Sequence, residues 1–295
     1  MPYLKIETHP SIPRRINYKG KYCGTDTPGK NSISIRDFHN YPIQNFSYTF
    51  NNWGFRDEDF GQHLGNKVNI CLGDSVTTNF GGPAEHSWPS QLKKYFNIPT
   101  LNFGMEAAGN DAIFKVYESV VKLFDVQNTF VMYSFLHRRL INGKFDLSGI
   151  TDDEENFTYF AKQRIPNSIE CACPSWVYTD EEKEFLQEQK IFFLDVPFSL
   201  NFSDFTDIDR KYVVEELYNA LRGTDWPSYM EFINGAEPHE DMFTKKFGNF
   251  ISKLQFGKNI SKNIYTNRDG IHLNQEANKI YADYFYNQWK QKNES

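Results

Sequence analysis

The feature that most constrains the fold of this 295-residue chain is an alternation of short apolar segments and amphipathic segments in its first half. Val68–Leu72, Thr100–Phe103 and Thr129–Phe135 are short apolar runs of the kind that form buried strands. Apolar residues at helical spacing lie between them, at about 87–96 and from Asn110 onward. Because strands alternate with helices over short connections, the pattern predicts a parallel sheet with helices on both faces.

The later part of the chain adds one strand and a closing helix to this prediction. Ile191–Val196 has the composition of a buried strand, and Asn274 is placed to cap a final helix. The apolar face of that helix consists of Ala277, Ile280, Tyr281, Tyr284 and Phe285. We therefore expect an α/β fold, a three-layer α/β/α sandwich of the flavodoxin-like kind, with a parallel sheet of about five strands.

Two stretches do not follow this alternation. Residues 1–45 are rich in Pro, Asn, Tyr and Gly, so residues 1–60 are predicted to form an extended N-terminal arm that packs on the core. The remainder, 61–295, is predicted to be an α/β domain with an insertion at about 141–260, which is aromatic and acidic without a clear period. A chain of this length has room for one large domain or for a domain with a lid.

Charge and hydropathy argue against several classes of protein. The net charge is -6 and the basic residues form no cluster, which disfavours a nucleic-acid partner. No run approaches the roughly 18 apolar residues of a membrane span. The N-terminal residues lack a basic region followed by an apolar one, so we expect no signal peptide and a cytoplasmic location. The oligomeric state is not predicted.

The cysteines give little indication of a metal or redox site. Cys171 and Cys173 are separated by one residue, unlike the C-x-x-C of common zinc and thioredoxin-type sites, and no histidine lies near them. A metal or redox role through this pair is kept as a weak alternative. No metal and no organic cofactor is expected.

Two short motifs carry the candidate chemistry. Gly73-Asp74-Ser75 directly follows a predicted strand, and Asp269-Gly270-Ile271-His272 directly precedes the final helix. A serine hydroxyl needs a base to take its proton and a third group to orient that base. Either motif alone is also a common turn. Their occurrence together at the ends of predicted elements favours a catalytic set with Ser75 as nucleophile, His272 as base and Asp269 as the group that orients it.

The same reasoning predicts donors for an oxyanion. Ligands of a parallel α/β sheet bind beyond the carboxyl ends of the strands. The Ser75 backbone N–H lies at such an end, and Gly104 follows the next strand, where a missing side chain lets a backbone N–H approach a substrate. Both N–H groups are therefore candidate donors.

These motifs resemble those of the SGNH/GDSL hydrolases. Gly73-Asp74-Ser75 is similar to that family's first block, Leu101–Gly104 to the second, whose glycine gives an oxyanion N–H, and Asp269-x-x-His272 to the last. Asn52–Asp57 and Ser87–Leu92 resemble a subgroup with an N-terminal extension. The resemblance covers about residues 50–140 and 265–290. It implies an SGNH-like hydrolase domain and ester hydrolysis without a cofactor.

The third block departs from the family pattern. The family has Gly-x-Asn-Asp after the third strand, and its Asn is an oxyanion donor, whereas here the strand continues into Leu136-His137-Arg138. We consider three replacements: Asn110, whose alternative role is a helix cap, and His137 or Arg138, whose alternatives are a packed histidine and a surface ion pair. A cation there would also suit an acidic substrate. Asp74, beside the nucleophile, completes the candidate substrate-binding residues.

The sequence thus predicts a serine esterase acting on a small-molecule or glycan ester. An O-acyl group on a carbohydrate is preferred weakly, because the many Tyr and Trp residues could stack on sugars, although such residues more often fill cores. An acyltransferase with the same triad is one alternative. An inactive SGNH-fold module that binds glycans or serves a structural role is the other.

Overall fold

The computed structural model describes residues 15–21, 23, 46–106, 108–136, 138–141, 144–146, 153–175, 178, 180–195 and 272–294. His137, Asp269 and most of the predicted insertion lie outside these ranges.

The strands of the described residues are β1 (Lys19–Gly20), β2 (Tyr48–Thr49), β3 (Lys67–Gly73), β4 (Thr100–Gly104), β5 (Asp125–Tyr133), β6 (Arg139–Ile141), β7 (Lys144–Asp146) and β8 (Ile169–Ala172). The α-helices are α1 (Ser75–Thr78), α2 (Trp88–Leu92), α3 (Asn110–Val120), α4 (Asp153–Lys162), α5 (Asp180–Glu188) and α6 (Gln275–Glu294). Short 3-10 helices are Phe60–His63, Ala84–His86 and Lys93–Tyr95.

Four parallel strands form the central sheet, in the order β4-β3-β5-β8. Beyond β8, Phe192 forms a parallel bridge with Cys171, and the Ala172 N–H donates to the Phe192 carbonyl at 2.7 Å. This bridge lies within the segment predicted as another strand, Ile191–Val196. The β1–β2 and β6–β7 pairs are antiparallel and lie outside the sheet.

Helices cover both faces of the sheet. On one face the Phe130 ring of β5 packs at 5.6 Å from the Phe285 ring of α6. Tyr133, three residues further along β5, must point to the opposite face because side chains alternate along a strand. Its ring packs at 4.9 Å from the Phe160 ring of α4. The predicted three-layer α/β/α sandwich is therefore confirmed.

The N-terminal segment packs against the chain that follows β3. Cys23, Tyr48 and Phe50 form a small buried cluster with Phe80. The Tyr48 hydroxyl accepts a hydrogen bond from the Gly81 N–H at 2.8 Å. The segment before the sheet thus contacts the loop that follows α1. The helix α1 itself begins at Ser75, the candidate nucleophile.

None of the described helices is long and apolar enough to cross a membrane.

Candidate active site

Ser75 occupies an unusual position at the carboxyl edge of the central sheet. β3 ends at Gly73, which pairs with Gly104 at the end of β4, and α1 begins at Ser75. From Val68 to Pro83 every residue is buried except Ser75, which is partly exposed. Solvent therefore reaches this segment only at the predicted nucleophile, in the place where parallel sheets bind ligands.

The amino-terminal end of α1 is held by the carboxylate of Asp74, which is fully buried. Asp74 Oδ1 accepts a hydrogen bond from the Val76 N–H at 2.9 Å, as a helix N-cap does. Asp74 Oδ2 accepts from the Ser134 hydroxyl at 2.8 Å and from Arg138 Nη1 at 3.2 Å. The predicted substrate contact at Asp74 is thus replaced by protein contacts, and its carboxylate ties the nucleophile turn to the end of β5.

The carboxyl-terminal end of α1 is held by the guanidinium of Arg56, which is also buried. It donates to the carbonyl oxygens of Thr78 at 3.3 Å, Asn79 at 2.5 Å and Gly82 at 2.8 Å. The guanidinium carbon lies 4.2 Å from the Tyr48 ring centroid, a cation–π contact. Sequence reasoning noticed Arg56 only within a resemblance and assigned it no role.

Gly104 is required by packing, and its N–H already has a partner. A Cβ atom there would lie 2.6 Å from the Thr78 nitrogen and 2.8 Å from the Thr77 carbonyl carbon, so a side chain would push α1 away from β4. The Gly104 N–H donates to Asn102 Oδ1 at 2.8 Å. This contact does not support the expected role of Gly104 as an oxyanion donor, because its amide is held by a side chain of its own strand.

Asn102 links this strand to the N-terminal segment and to α1. Its Nδ2 donates to the Thr77 carbonyl at 3.1 Å, and its backbone N–H donates to Asp57 Oδ2 at 2.7 Å. Burial raises the pKa of the Asp57 carboxyl to about 6, although the Asn102 N–H opposes the shift. Arg56 directly, and Asp57 through Asn102, therefore both support the carboxyl-terminal part of α1.

Asn110 is also engaged within the protein. Its Oδ1 accepts from the Ser134 N–H at 2.8 Å, and its Nδ2 donates to the Ser134 carbonyl at 3.2 Å. The side chain is buried and joins the start of α3 to the end of β5. The proposed replacement of the third-block donor by Asn110 is therefore not supported by its contacts.

Gly109, one residue earlier, carries a candidate donor that sequence reasoning missed. A Cβ atom there would lie 2.4 Å from the Arg138 carbonyl oxygen, so only glycine fits this close approach of two chain segments. No described residue accepts a hydrogen bond from the Gly109 N–H. The signal in the sequence was the glycine itself, which directly precedes Asn110 and a predicted helix.

His272 is brought to the loop that follows α1. Its side chain is buried, and its ring centroid lies 5.7 Å from that of Phe80, five residues after Ser75. The first turns of α6 fix this placement, because Asn278 Nδ2 donates to Asn79 Oδ1 at 3.0 Å and Asn278 Oδ1 accepts from the Trp88 N–H at 3.0 Å. The histidine and the serine therefore belong to the same corner of the fold.

The predicted cap of α6 is also present, since Asn274 Oδ1 accepts from the Ala277 N–H at 3.0 Å. Asp269 and His137 lie outside the described residues, and their roles stay predictions.

Arg138 reaches the nucleophile turn through Asp74. Besides the Asp74 contact, its Nη1 donates to the Ser134 hydroxyl at 3.1 Å and to the Ala108 carbonyl at 3.5 Å. The guanidinium carbon lies 4.3 Å from the Phe135 ring centroid. Its side chain keeps 19% of its surface exposed, whereas that of Asp74 keeps none. A partly exposed cation is therefore held against Asp74, the residue that precedes Ser75.

The cysteine pair lies in the interior. Cys171 and Cys173 are fully buried and free, and burial raises the pKa of both thiols well above the usual range. The Cys173 thiol lies 3.6 Å from Asp74 Oδ1. Among the described residues, no group of three or more His, Cys, Asp and Glu side chains is placed to hold a metal ion.

No protein-family model matches the chain, and no curated protein matches it. Several solved structures are similar to it. The psychrotrophic esterase EstA of Pseudoalteromonas sp., in a structure inhibited by monoethylphosphonate, is 10% identical, with a TM-score of 0.37 over 78% of this chain and 100% of that chain. A putative lipolytic protein of the G-D-S-L family from Desulfitobacterium hafniense is 16% identical, with a TM-score of 0.30 over 64% of this chain and 98% of that one.

A member of the lipolytic G-D-S-L family from Veillonella parvula is 11% identical, with a TM-score of 0.35 over 76% of this chain and 99% of that one. Identities and TM-scores this low assign no residue role and no substrate to the present chain. The chain is thus similar to structures of the family that its motifs resemble, and its chemistry has to be argued from its own residues.

Proposed function

We propose that this protein hydrolyses esters with Ser75 as the nucleophile. The observation that carries the proposal is the exposure pattern at the end of β3, where Ser75 alone is open within a buried segment of sixteen residues, Val68 to Pro83. His272 supports it, because a base is needed close to the hydroxyl and the histidine lies against the loop after α1.

The proposed reaction has two stages. His272 takes the proton of the Ser75 hydroxyl as its oxygen attacks the ester carbonyl, and it then protonates the leaving alcohol. Water, activated by the same histidine, releases the acid from the acyl-enzyme. Asp269 is proposed to orient the imidazole, as the three-residue spacing from His272 allows.

The oxyanion is proposed to bind two backbone donors. The Ser75 N–H is the first donor of α1, and the Gly109 N–H precedes α3 without a partner among the described residues. Gly109 takes the role first expected of Gly104. Since loss of one oxyanion donor reduces the rate by about a hundredfold to a thousandfold, two donors support slow but measurable turnover.

The alcohol and acyl parts of the substrate are less constrained. The preference for a carbohydrate ester depended on aromatic residues, but many of these, including Trp88, Tyr48 and Tyr281, are fully buried and fill the core. A small-molecule ester is therefore proposed, with a glycan ester as a narrower possibility. An acyltransferase would use the same residues and differ only in the acceptor that reaches the acyl-enzyme.

One observation favours an inactive binding module as the second candidate. Both the Gly104 N–H and the Asn110 amide are used inside the protein, so two of the expected oxyanion donors are occupied. If Gly109 did not compensate, the Ser75 N–H would be the single proposed donor left for the oxyanion, and the transition state would be poorly stabilised.

Covalent labelling distinguishes the two candidates. The purified native protein, Ser75→Ala, His272→Ala and a control would be treated with a fluorophosphonate probe and then with p-nitrophenyl acetate. The control is Ser119→Ala, which changes a partly exposed serine on α3. We expect labelling and turnover in the native protein and the control, and loss of both in the two site variants. A folded native protein inert to both reagents would reject the hydrolase in favour of the binding module.

A further inference from the structure

The guanidinium of Arg138 is divided into a bound edge and an open edge. Its hydrogen bonds to the described residues all use Nη1, which donates to Asp74, Ser134 and Ala108. Nη2 and Nε donate to no described residue. The side chain keeps 19% of its surface exposed. These two donor atoms are therefore available at the surface of the site.

Two other arginines show that this arrangement is specific. Arg15 and Arg56 are only 5% and 3% exposed. Among the described residues, no side-chain nitrogen of Arg138 is both buried and without a hydrogen-bond partner. Arg15 and Arg56 are thus enclosed, whereas Arg138 presents one edge outward.

The open edge is held in a defined orientation. Asp74 fixes Nη1, and the Phe135 ring supports the guanidinium at 4.3 Å. Two neighbouring guanidinium N–H groups can donate two parallel hydrogen bonds to one carboxylate. A guanidinium that is already held in place loses little conformational entropy when it binds. Because Asp74 immediately precedes Ser75, a carboxylate bound there would belong to a substrate whose ester lies close to the nucleophile.

We propose that Arg138 binds a carboxylate of the substrate, so that the esters cleaved at Ser75 are anionic ones carrying a carboxylate a few bonds from the reacting carbonyl. This inference rests on the proposed hydrolase function and names its substrate class. The carboxylate takes no part in bond making; it orients the ester while the acyl–oxygen bond is broken as described above.

A matched pair of esters tests the inference. The 4-nitrophenyl hemisuccinate has a carboxylate where the 4-nitrophenyl pentanoate has an ethyl end, and the two are otherwise similar in length. For the native protein we expect kcat/KM to be about tenfold or more higher for the hemisuccinate, the effect of one charge-assisted pair. In Arg138→Gln, which keeps donors for Asp74 and Ser134, the preference should vanish, mainly through KM. Arg138→Lys should retain part of it.

The outcomes separate this inference from the proposed function. If Ser75 is not labelled and neither ester is cleaved, the hydrolase proposal fails. If both esters are cleaved equally well by the native protein, or if Arg138→Gln slows both equally as loss of an oxyanion donor would, the carboxylate site is rejected while the hydrolase stands. Should Arg138→Gln not fold, inhibition of the native protein by succinate but not by butyramide would support the inference, and equal inhibition would overturn it.

Discussion

The two ends of α1 are held by side chains of opposite charge that come from different parts of the chain. At the amino-terminal end the Asp74 carboxylate accepts from Val76, Ser134 and Arg138. At the carboxyl-terminal end Arg56 donates to three carbonyl oxygens. Each charge is opposite to the partial charge of the helix end that it meets. A helix of four residues has no stability of its own, so these contacts maintain the geometry of Ser75.

The two ends differ in what else they touch. Asp74 and Arg138 belong to the α/β core, and Arg138 is partly open to solvent. Arg56 comes from the segment before the sheet and is enclosed with Tyr48. We infer that the contacts at the amino-terminal end of α1 (the first end) both stabilise the helix and influence which substrate binds. The contacts at the carboxyl-terminal end (the second end) only stabilise the helix. Changes at the first end should alter stability and substrate choice together, and changes at the second should alter stability and reactivity without altering substrate preference.

The largest effect is expected from Asp74→Ala. The change removes the acceptor of the Val76 N–H and the Ser134 hydroxyl and the carboxylate partner of Arg138. Removing one partner of a buried ion pair costs about 3–5 kcal/mol of unfolding free energy. Urea unfolding measures the loss, and the labelling of Ser75 should fall with it. Asp74→Asn is the matched control, because it keeps an oxygen for the helix cap and should lose less. An unchanged urea midpoint in Asp74→Ala would contradict this description of the first end.

A smaller but separable effect is expected from Arg56→Ala. Loss of its bonds to the carbonyls of α1 should lower the unfolding free energy by about 2–3 kcal/mol. Because α1 then shifts relative to the oxyanion donors, the rate constant for labelling Ser75 should fall about tenfold or more at temperatures where the variant is folded. The preference between the anionic and neutral esters should stay as in the native protein.

The control for that variant is Arg164→Ala, which removes a half-exposed arginine paired with Glu170 at the other side of the sheet. Its labelling rate should match that of the native protein. If Arg56→Ala and Arg164→Ala labelled equally fast, the carboxyl-terminal end of α1 would have no influence on the serine.

The sequence predicted the sheet and the approximate position of the site because both depend on local pattern. Apolar runs identified the parallel strands, and Ser75 and His272 were selected as candidates from their places at the ends of elements. Of the predicted oxyanion donors, the Gly104 N–H and the Asn110 amide are hydrogen-bonded within the protein, which the sequence did not indicate. Which amide is free depends on side chains such as those of Asn102 and Asn110, which reach backbone groups through the tertiary structure. Such contacts leave no periodic pattern in the sequence. The role of Arg56 could not be predicted for the same reason, because its acceptors lie 22 to 26 residues away along the chain.

A dependence on pH is also expected at the carboxyl-terminal end of α1. Burial raises the pKa of Asp57 from 3.8 to about 6. The folded state therefore holds this proton more tightly than the unfolded state, so the contribution of Asp57 to stability falls as the pH rises from about 4 to about 6 and is constant above that range. Asp57→Asn removes this loss. The stability of the variant relative to the native protein should accordingly increase over that range of pH, as measured by thermal unfolding.

The neighbouring Glu58 gives a control of opposite sign. Its hydrogen bond with Lys93 lowers the pKa of Glu58, so its stabilising contribution is present above its ordinary pKa and is lost as the pH falls. Relative to the native protein, Glu58→Gln should therefore become less stable as the pH rises, by a small amount because the pair is exposed. Asp57 accepts a hydrogen bond from Asn102, and Asn102 donates one to α1. The rate of Ser75 labelling should therefore depend less on pH in Asp57→Asn than in Glu58→Gln. Parallel pH profiles for the two variants would show that Asp57 is not linked to the nucleophile helix.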